Sequence, residues 1–518
     1  MKLSELQIVL DQSGLTAPNA RTVVDQYDLA AIDARSLHYD TRRFLPGGVF
    51  FAIAGMATDG HKYITDAIDR GAVAIIAQKP VKATLPVIQV TDSRKALAIA
   101  ADHFYGNPSQ HLTLVGITGT NGKTTCAYLV ENMLTAGGYR VGVIGTVNYR
   151  YNRKIFASPV TTPESLDLQQ TMAEMVAAGV THLVLEVSSH AIDLSRIEAC
   201  WIHIGVFTNL SQDHLDYHGT MQAYWACKKR LFSHYLKTDP AAIAVINMDN
   251  PEGRELASDL SYPVITTGRK PGSMIRSESM AIDFAGIHGR ITTPQDAIEI
   301  ESPLVGAHNL ENILSAVGVG VALALPSAAI QKGINMTRSV PGRLERVSHN
   351  GDIPVYVDYA HTPDALENVL NALKKMTPAR IITVFGCGGN RDKTKRPLMG
   401  NIAARYSDLA IVTSDNPRSE DPDDIIDQIL AGEVLAGQRA YTLADLPDGL
   451  PDRGYYREPD RRRAIQVAIQ TARPGDIVLI AGKGHETYQI LGDQTIDFDD
   501  RIEAKAALAA GTKEEASC

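Results

Sequence analysis

Several features that would assign a protein to a class at once are missing from this sequence. No apolar run approaches the roughly 18 residues of a membrane-spanning helix, and the N-terminal MKLSELQIVLDQSG has no continuous apolar block, so we expect neither a span nor a secretory signal. The five cysteines are scattered and never spaced as CxxC, which argues against a disulfide framework and a zinc site and favours a cytoplasmic location. A net charge of −9 gives no support for nucleic acid or an anionic membrane as a partner.

What is present is a long chain of alternating elements. Its 518 residues are enough for roughly three domains. Short apolar runs rich in valine and isoleucine alternate with helical stretches, which is typical of α/β proteins with mainly parallel sheets. The turn-rich FYGNPSQ ends the first block and SVPGRLE opens the third, so we predict domains at 1–107, 108–338 and 339–518. A polar, Pro- and Arg-rich segment from about 442 to 463 is predicted to be an exposed loop or an insertion.

The predicted strands fall into three groups along the chain. Each is a continuous apolar run, as expected for a strand buried on both faces of a sheet. In chain order they are GGVFFAIAG and GAVAIIAQK, then LTLVGIT, HLVLEV, IHIGVFTNL and AAIAVIN, then IPVYVDY, RIITVFG, LAIVTS and DIVLIAG.

The stretch GITGTNGKTT, at 116–125, joins a predicted strand to a predicted helix. A Gly-rich turn of this kind exposes backbone N–H groups at the positive end of a helix, which favours anion binding. Lys123 adds a cation for phosphates, and the following threonines can supply a hydroxyl to Mg²⁺. The general phosphate-loop pattern has its first glycine five positions before Gly122, whereas here it is Gly119, so the match is to a shorter variant. The alternative interpretation is an ordinary strand-to-helix turn.

Two further stretches carry candidate metal ligands after predicted strands. Glu186 ends one strand, where a carboxylate would lie at the carboxyl edge of the sheet beside the glycine-rich loop. Asp213, His214, Asp216 and His218 follow another strand and could hold a divalent ion, although Mg²⁺ prefers oxygen ligands. Spacing alone does not separate these interpretations from a solvated rim carboxylate and a polar loop that begins a helix.

Taken in order, the motifs of this chain resemble those of the Mur ligases, the ATP-dependent amide-forming enzymes of peptidoglycan precursor synthesis. The resemblance implies a central domain like a phosphate-loop ATPase, a Rossmann-like C-terminal domain and a smaller N-terminal α/β domain. Folylpolyglutamate synthases share the central domain but lack this N-terminal block. The motifs are GTNGKTT, EVSSHAI, TNLSQDHLDYHG, YWACKKRLF, GAHNLENILSA, VPGRLE, DYAHTPD and GCGGNRDKTKRP.

Within the family, SDNPRSEDP and AGKGHETYQ resemble the members that add the third residue of the peptide. Such enzymes join a diamino acid to the D-Glu γ-carboxyl of UDP-N-acetylmuramoyl-L-Ala-D-Glu, and the form Asp-Asn-Pro-Arg is typical of those that use meso-2,6-diaminopimelate. The second ammonium–carboxylate centre of that substrate suits Arg418, because a guanidinium binds a carboxylate bidentately. The alternatives are the same ligase accepting L-lysine and a non-catalytic nucleotide-binding regulator.

The resemblance also implies residues for ATP and Mg²⁺. Lys228 matches the lysine that is carbamylated in this family. Carbamylation replaces an ammonium, which Mg²⁺ would repel, with an anion that can bind Mg²⁺. Lys229 is the competing choice. The implied metal ligands are Thr124, Glu186, His214 and carbamylated Lys228, and the implied catalytic residues are Lys123, Lys228, His214 and Glu186. The implied ATP-binding residues are Gly119, Thr120, Asn121, Gly122, Lys123, Thr124, Thr125, His308, Asn309, Asn312 and Arg343, with Asp358, Tyr359 and His361 completing the site on domain closure.

The substrate-binding residues that the resemblance implies form three sets. Met56 and Leu194 depart from the family pattern, which weakens the assignment at the nucleotide end of the substrate. The sets are Thr41 and Thr58 for uridine; Thr161, Thr162, Ser188 and Arg196 for the peptide; and Arg391, Asp415, Asn416, Pro417, Arg418, Gly482 and Glu486 for the amino acid. The expected partners are small molecules only, and we expect a monomer.

Overall fold

The computed structural model describes residues 1–17, 26–55, 58–236, 241–348, 352–376, 379–447 and 449–515. Their strands form three mainly parallel sheets and one small hairpin, which confirms the predicted α/β fold class. Every predicted strand named above contains a strand of the structure. Met56, a departure from the family pattern, lies outside the described residues. Among the helices that are described, none is long and apolar enough to cross a membrane.

The first sheet has four parallel strands in the order β1-β2-β3-β4. Alternate residues of β2 face opposite layers: Val49 and Phe51 pack with α1 and α3, whereas Phe50 and Ala52 pack with α2. This burial on both faces explains the continuous apolar run in the sequence. The elements are β1 (Ser36–His38), β2 (Gly48–Ala52), β3 (Ala74–Ala77), β4 (Val87–Gln89), α1 (Leu3–Gln12), α2 (Ile64–Asp69) and α3 (Ser93–Phe104), with short 3-10 turns at Thr41–Arg43, Gly60–Tyr63 and Pro108–His111.

The second sheet has eleven strands in the order β15-β14-β13-β12-β11-β10-β5-β9-β6-β7-β8. Its centre is parallel, whereas β14 and β15 at one end and β7 and β8 at the other pair antiparallel. The strands are β5 (Thr113–Thr118), β6 (Val141–Ile144), β7 (Asn148–Tyr151), β8 (Lys154–Ala157), β9 (His182–Glu186), β10 (Ile204–Phe207), β11 (Ile243–Asn247), β12 (Val264–Gly268), β13 (Ile275–Asp283), β14 (Gly286–Thr292) and β15 (Ala297–Ser302).

Helices cover both faces of this sheet and enclose two cores. Val115 and Ile117 of β5 face one core, and Leu114 faces the other. The helices are α4 (Lys123–Ala136), α5 (Ser165–Ala177), α6 (Ser189–Asp193), α7 (Leu215–His218), α8 (Met221–Arg230, continued by a π-helical turn at Leu231–Tyr235), α9 (Pro251–Asp259), α10 (Ala307–Ala322) and α11 (Ser327–Met336).

The third sheet has seven strands in the order β16-β17-β22-β18-β19-β21-β20, with every pairing parallel except that of β16 with β17. Its strands, and those of the separate hairpin β23–β24, are β16 (Glu345–Arg346), β17 (Val355–Asp358), β18 (Ile381–Phe385), β19 (Leu409–Val412), β20 (Arg439–Ala440), β21 (Gly454–Arg457), β22 (Ile477–Ala481), β23 (Tyr488–Leu491) and β24 (Gln494–Asp497). The helices are α12 (Pro363–Met376), α13 (Lys395–Tyr406), α14 (Pro422–Leu430), α15 (Glu433–Ala436), α16 (Arg461–Thr471) and α17 (Asp500–Glu515).

The exposed loop predicted at 442–463 is wrong in its second half. This part contains β21 and the first turn of α16, and Arg461 is 1% exposed. Its guanidinium donates from Nε and Nη2 to the two carboxylate oxygens of Asp500, at 2.8 and 2.7 Å. A buried arginine needs such a partner, and the sequence does not reveal an acid 39 residues away.

Candidate functional site

The glycine-rich loop between β5 and α4 has a backbone that only glycine adopts easily. Gly119 and Gly122 have φ values of 147° and 86°. A Cβ on Gly119 would lie 1.9 Å from Thr208 Oγ1, and one on Gly122 would lie 2.2 Å from Asn312 Oδ1. Close packing therefore requires glycine at both positions. The backbone of the loop lies directly against the end of β10 and against α10.

Hydrogen bonds from the end of β10 hold this loop in place. The Asn121 N–H donates to Asn209 Oδ1 at 2.9 Å, and Thr208 Oγ1 donates to the Asn121 carbonyl at 2.6 Å. Thr120 Oγ1 accepts from the Ser211 N–H at 3.0 Å. The loop is thus ordered directly before the N-terminus of α4, an arrangement that binds phosphate in other proteins.

Lys123 is the first residue of α4, and its ammonium folds back over the loop. Nζ donates to the carbonyls of Gly119 and Thr120 at 2.9 and 2.8 Å. Burial lowers the pKa of Lys123, and the nearby Glu186 carboxylate opposes this shift. The side chain of Lys123 therefore lies directly against the loop, where it can contact a bound phosphate.

Glu186 ends β9, the strand beside β5, and is 1% exposed. Its carboxylate accepts hydrogen bonds from Thr124 Oγ1 at 3.0 Å, from Thr146 Oγ1 at 2.8 Å and from the Thr146 N–H at 3.1 Å. The interpretation of Glu186 as a solvated rim carboxylate is wrong, because the side chain is buried beside the loop.

Lys228 and Lys229 differ sharply in their surroundings. Lys228 is 1% exposed, donates from Nζ to the Gly119 carbonyl at 2.8 Å and lies 4.6 Å from the centroid of the Tyr224 ring. Burial, followed by the charge of Lys123, lowers the pKa of Lys228 well below its usual value. Lys229 instead pairs with Glu255 at 2.9 Å near the surface. The structure therefore brings Lys228, not Lys229, to the loop.

His214 lies at the rim of the site and caps α7 with a left-handed φ of 54°. Its Nε2 is 3.3 Å from Asp213 Oδ2, and its ring centroid is 4.9 Å from that of His190. Burial lowers the pKa of His214, against the charge of Asp213, and lowers the pKa of His190 to about 4. Both imidazoles are therefore neutral near pH 7, and a neutral imidazole nitrogen can accept a metal ion.

The asparagines assigned to ATP lie beneath the loop on the first turns of α10. Asn312 Nδ2 donates to Asn309 Oδ1 at 3.1 Å, and Asn309 Nδ2 donates to the Val305 carbonyl at 2.8 Å. Asn312 also contacts Gly122 closely, as described above. His308 is half-buried, and burial lowers its pKa to about 4. These amides therefore support the loop from below.

Contacts from the third sheet complete the surroundings of the loop. Arg343 Nη2 donates to Thr124 Oγ1 at 3.2 Å, and its guanidinium lies 4.8 Å from the centroid of the Tyr359 ring. Asn121 Nδ2 donates to Asp364 Oδ2 at 3.0 Å. Asp364 was not predicted as a site residue, although it is the last residue of the motif DYAHTPD; it lies in the first turn of α12.

A cleft of about 1050 Å³ opens between the second and third sheets. On one wall Thr162 Oγ1 donates to the Glu186 carbonyl at 2.7 Å and accepts from the Ser188 N–H at 3.1 Å. Arg196 Nη1 donates to the Thr162 carbonyl at 2.8 Å, and Thr161 Oγ1 lies 3.1 Å from Thr146 Oγ1. The four residues assigned to the peptide thus share one wall, next to the buried carboxylate.

The opposite wall carries the residues assigned to the amino acid. They follow the carboxyl ends of β18, β19 and β22, which lie near one another in the sheet. Arg418 has a left-handed φ of 55° and donates from Nη1 to the Gly389 carbonyl at 2.9 Å, which holds its guanidinium in the cleft. Pro417 is buried and does not line the cleft. The lining members of this set are Arg391, Asp415, Asn416, Arg418, Gly482 and Glu486.

Thr41 and Thr58, the two residues assigned to uridine, do not line the cleft. Thr41 is buried on the first sheet, where its hydroxyl bonds to Asp66 and lowers the pKa of that carboxyl. Thr58 is exposed, with Oγ1 3.4 Å from Tyr63 OH. Leu194, the second departure from the family pattern, follows α6. The first sheet contacts α5 through Tyr39 OH, which donates to Asp167 Oδ2 at 2.5 Å.

Three protein-family models match successive parts of the chain. Residues 34–105 match the Mur ligase family, catalytic domain; residues 117–320 match the Mur ligase middle domain; and residues 342–484 match the Mur ligase, glutamate ligase domain. Together these ranges cover all three sheets.

Named bacterial proteins are similar to this chain over more than nine-tenths of its length. The UDP-N-acetylmuramoyl-L-alanyl-D-glutamate--2,6-diaminopimelate ligase of Geobacter metallireducens is 50% identical over 483 residues, covering 92% of this chain and 94% of its own. The protein of that name from Geobacillus thermodenitrificans is 44% identical and covers 92% of this chain and 95% of its own.

Solved structures extend the similarity to the fold. A structure of a UDP-N-acetylmuramoyl-L-alanyl-D-glutamate--2,6-diaminopimelate ligase is 29% identical, with a TM-score of 0.67 and 99% coverage of both chains. MurF ligase from Thermotoga maritima, solved in complex with ADP, is 19% identical, with a TM-score of 0.60, and covers 86% of this chain and 94% of its own.

Proposed function

The chain belongs to the Mur ligase family, and we propose that its cleft joins meso-2,6-diaminopimelate to the D-Glu γ-carboxyl of UDP-N-acetylmuramoyl-L-Ala-D-Glu. It is an ATP-dependent, amide-forming ligase of peptidoglycan synthesis. One observation supports the proposal most strongly. A phosphate-binding loop and a buried carboxylate adjoin one wall of a cleft whose opposite wall carries paired arginines and carboxylates.

The residues at the loop fit a nucleotide with Mg²⁺. Within the described part of the chain, no group of three or more His, Cys, Asp or Glu side chains could hold a metal ion alone. Mg²⁺ needs no such group, because it is commonly bound by one or two carboxylates together with phosphate oxygens and water. Glu186, with Thr124 Oγ1 at 3.0 Å and His214 at the rim, provides that donor set. When bound, Mg²⁺ would neutralise phosphate charge.

The first step transfers the γ-phosphoryl group of ATP to the D-Glu γ-carboxylate. A carboxylate oxygen bonds to the γ-phosphorus, the bond from that phosphorus to the β,γ-bridging oxygen breaks, and ADP leaves. Two anions must approach one another, so the positive charge of Lys123 and the backbone N–H groups of the loop lower the barrier by positioning and electrostatic stabilisation. Arg196 and Ser188 hold the peptide beside the loop in this scheme.

The second step forms the amide. The amine of the diamino acid attacks the acyl carbon, loses a proton and expels phosphate from a tetrahedral intermediate. Arg391 and Arg418 would bind the distal carboxylate, and Asp415 and Glu486 the distal ammonium. Water competes with the amine for the acyl phosphate, so the site must be closed. The Arg343–Thr124 and Asn121–Asp364 contacts hold the third sheet over the loop and provide this closure.

Lys228 is proposed to act as a carbamate. Its lowered pKa favours the unprotonated amine, which is the form that reacts with CO₂ to give a carbamate and one proton. The product places an anion next to Lys123 in place of an amine, which suits a metal-binding role. Lys229 keeps an ion pair with Glu255 and lacks this environment.

The proposal extends to location and assembly. All four described cysteines, Cys126, Cys200, Cys227 and Cys387, are free and buried, as is usual in a reducing compartment. We propose a cytoplasmic, monomeric enzyme. Its domains are proposed at 1–107, 108–338 and 339–518, each of which contains one of the three sheets.

Acceptor preference tests the amino-acid assignment. We expect kcat/KM for meso-diaminopimelate to exceed that for L-lysine by about 10³-fold, because Arg418 would face no counter-charge with lysine. Arg418→Met should lower kcat/KM for meso-diaminopimelate by about 10²-fold and change that for L-lysine little. A coupled ADP-release assay with each acceptor measures both quantities.

Arg405 provides a matched control for this variant. It is an exposed arginine of α13 outside the cleft, so Arg405→Met should leave both acceptors unaffected. Faster turnover of L-lysine by the wild-type protein would overturn the assignment of meso-diaminopimelate.

A further inference from the structure

Lys483 is a buried cation directly behind the amino-acid wall of the cleft. Its side chain is 0% exposed and does not line the cleft, whereas its neighbours Gly482 and Glu486 do. Both neighbours were predicted from AGKGHETYQ to bind the amino acid, whereas the lysine between them was not. A fully buried lysine is rare and needs compensating partners.

The partners of Lys483 are three residues that line the cleft. Nζ donates to Glu486 Oε2 at 3.0 Å and to Asn416 Oδ1 at 3.1 Å, and it lies 3.8 Å from Asp415 Oδ1. Asn416 Nδ2 also donates to Glu486 Oε2 at 2.9 Å. One cation therefore lies behind two carboxylates, which leaves the cluster with one net negative charge.

Asp415 differs from Glu486 in its hydrogen bonding. Oδ1 of Asp415 is buried and has no hydrogen-bond partner among the described residues, since its 3.8 Å separation from Lys483 Nζ is an ion pair rather than a hydrogen bond. A buried carboxylate oxygen without a donor is costly and is expected to acquire one. That oxygen is itself buried, but Asp415 lines the cleft, so its carboxylate can attract a cationic ligand bound there.

We propose that Lys483 is a positioning residue that holds the carboxylates of Asp415 and Glu486 side by side at the wall of the cleft, so that together they bind one ammonium group of the amino-acid substrate. This inference rests on the proposed function, which supplies the diamino acid. Without the lysine, the buried carboxyl of Glu486 would lose a compensating positive charge and would take up a proton more readily. That proton would compete with the substrate ammonium for the same oxygens.

The charges around Glu486 determine the expected direction of the pH effect. Burial, followed by the charge of Asp415, raises the pKa of Glu486, and Lys483 and Asn416 oppose this shift. The other titratable or charged groups that interact with Glu486 are Tyr359, Tyr488 and Arg461. Loss of Lys483 removes a lowering influence, so the pKa of Glu486 should rise further. Protonation then weakens ammonium binding at low pH, and KM for the diamino acid should fall as pH increases.

Two substitutions that remove the charge test this inference. Lys483→Met removes both charge and donor, whereas Lys483→Gln retains a donor for Asn416 or Glu486. We expect each to raise KM for meso-diaminopimelate at neutral pH by about 10-fold or more, with much smaller changes in KM for ATP and for the UDP-linked dipeptide. In both variants KM for meso-diaminopimelate should fall between about pH 6 and pH 9 more steeply than in the wild type.

The control is Lys374→Met, which removes a partly exposed lysine of α12 whose partner, Asp408, lies 3.7 Å away. It should leave all three KM values unchanged. Thermal unfolding identifies folded variants, and if Lys483→Met does not fold, Lys483→Gln provides the test. A KM for meso-diaminopimelate that matches the wild type at every pH would overturn the inference, as would an equal, pH-independent rise in all three KM values. If the wild-type protein released no ADP with all three substrates, the proposed function itself would fail.

Discussion

A Lys123→Ala variant is expected to form ADP at about one-thousandth of the wild-type rate or less when ATP, the UDP-linked dipeptide and meso-diaminopimelate are all present. Lys123 supplies a partly buried cation at the first turn of α4, where its ammonium is already held by two carbonyls of the loop. A bound triphosphate would replace those carbonyls with phosphate oxygens. The approach of two anions in the first step makes the reaction especially sensitive to this charge.

The measurement is a steady-state ADP-release assay with saturating substrates, accompanied by calorimetric titration of ATP. Lys79→Ala is a suitable control, because Lys79 pairs with Asp59 on the first sheet at 2.5 Å and has a 60% exposed side chain. It should behave like the wild type. An undiminished rate in folded Lys123→Ala would remove the basis for assigning phosphoryl transfer to this loop.

The second large effect is expected for Lys228. Lys228→Ala should lower kcat by about 10³-fold, since the variant cannot form the carbamate that is proposed to bind Mg²⁺. Thermal stability should change little or even rise, because the substitution removes a buried, desolvated amine. This combination separates loss of chemistry from loss of fold.

Lys229→Ala is the matched control, one residue along the same helix. Its loss removes only a surface ion pair with Glu255, so activity should remain near the wild-type level. Intact-mass and peptide analysis at neutral pH should find one added CO₂ on Lys228 and none on Lys229. The assignment is contradicted if the two alanine variants show equal activity.

The buried parallel strands and the glycine-rich loop could be predicted from the sequence. A strand buried on both faces, such as β9, is a continuous apolar run, and a loop that excludes Cβ atoms needs glycine at fixed positions, here Gly119 and Gly122. The antiparallel strands at the ends of the second sheet were not predicted. In β15, AIEIES alternates buried and exposed residues, and this period of two was the available signal.

Contacts between distant parts of the chain could not be predicted in the same way. Nothing near Arg461 in the sequence indicates that Asp500 neutralises it, which is why part of a helix was assigned to an exposed loop. The choice between Lys228 and Lys229 also depended on tertiary structure, because only the orientation of α8 decides which lysine meets the loop. Lys483 lies within a motif whose neighbours were selected, yet its burial becomes visible only once β19 and β22 bring three polar partners together.

The route of one oxygen atom tests the central claim most directly. The UDP-linked dipeptide would be prepared with ¹⁸O in both oxygens of its D-Glu γ-carboxyl group and incubated with the enzyme, ATP and meso-diaminopimelate, and the released phosphate analysed by mass spectrometry. Transfer of the γ-phosphoryl group to that carboxylate predicts one ¹⁸O atom in each phosphate formed. Phosphate without ¹⁸O, or amide formation without ADP release, would contradict activation through an acyl phosphate.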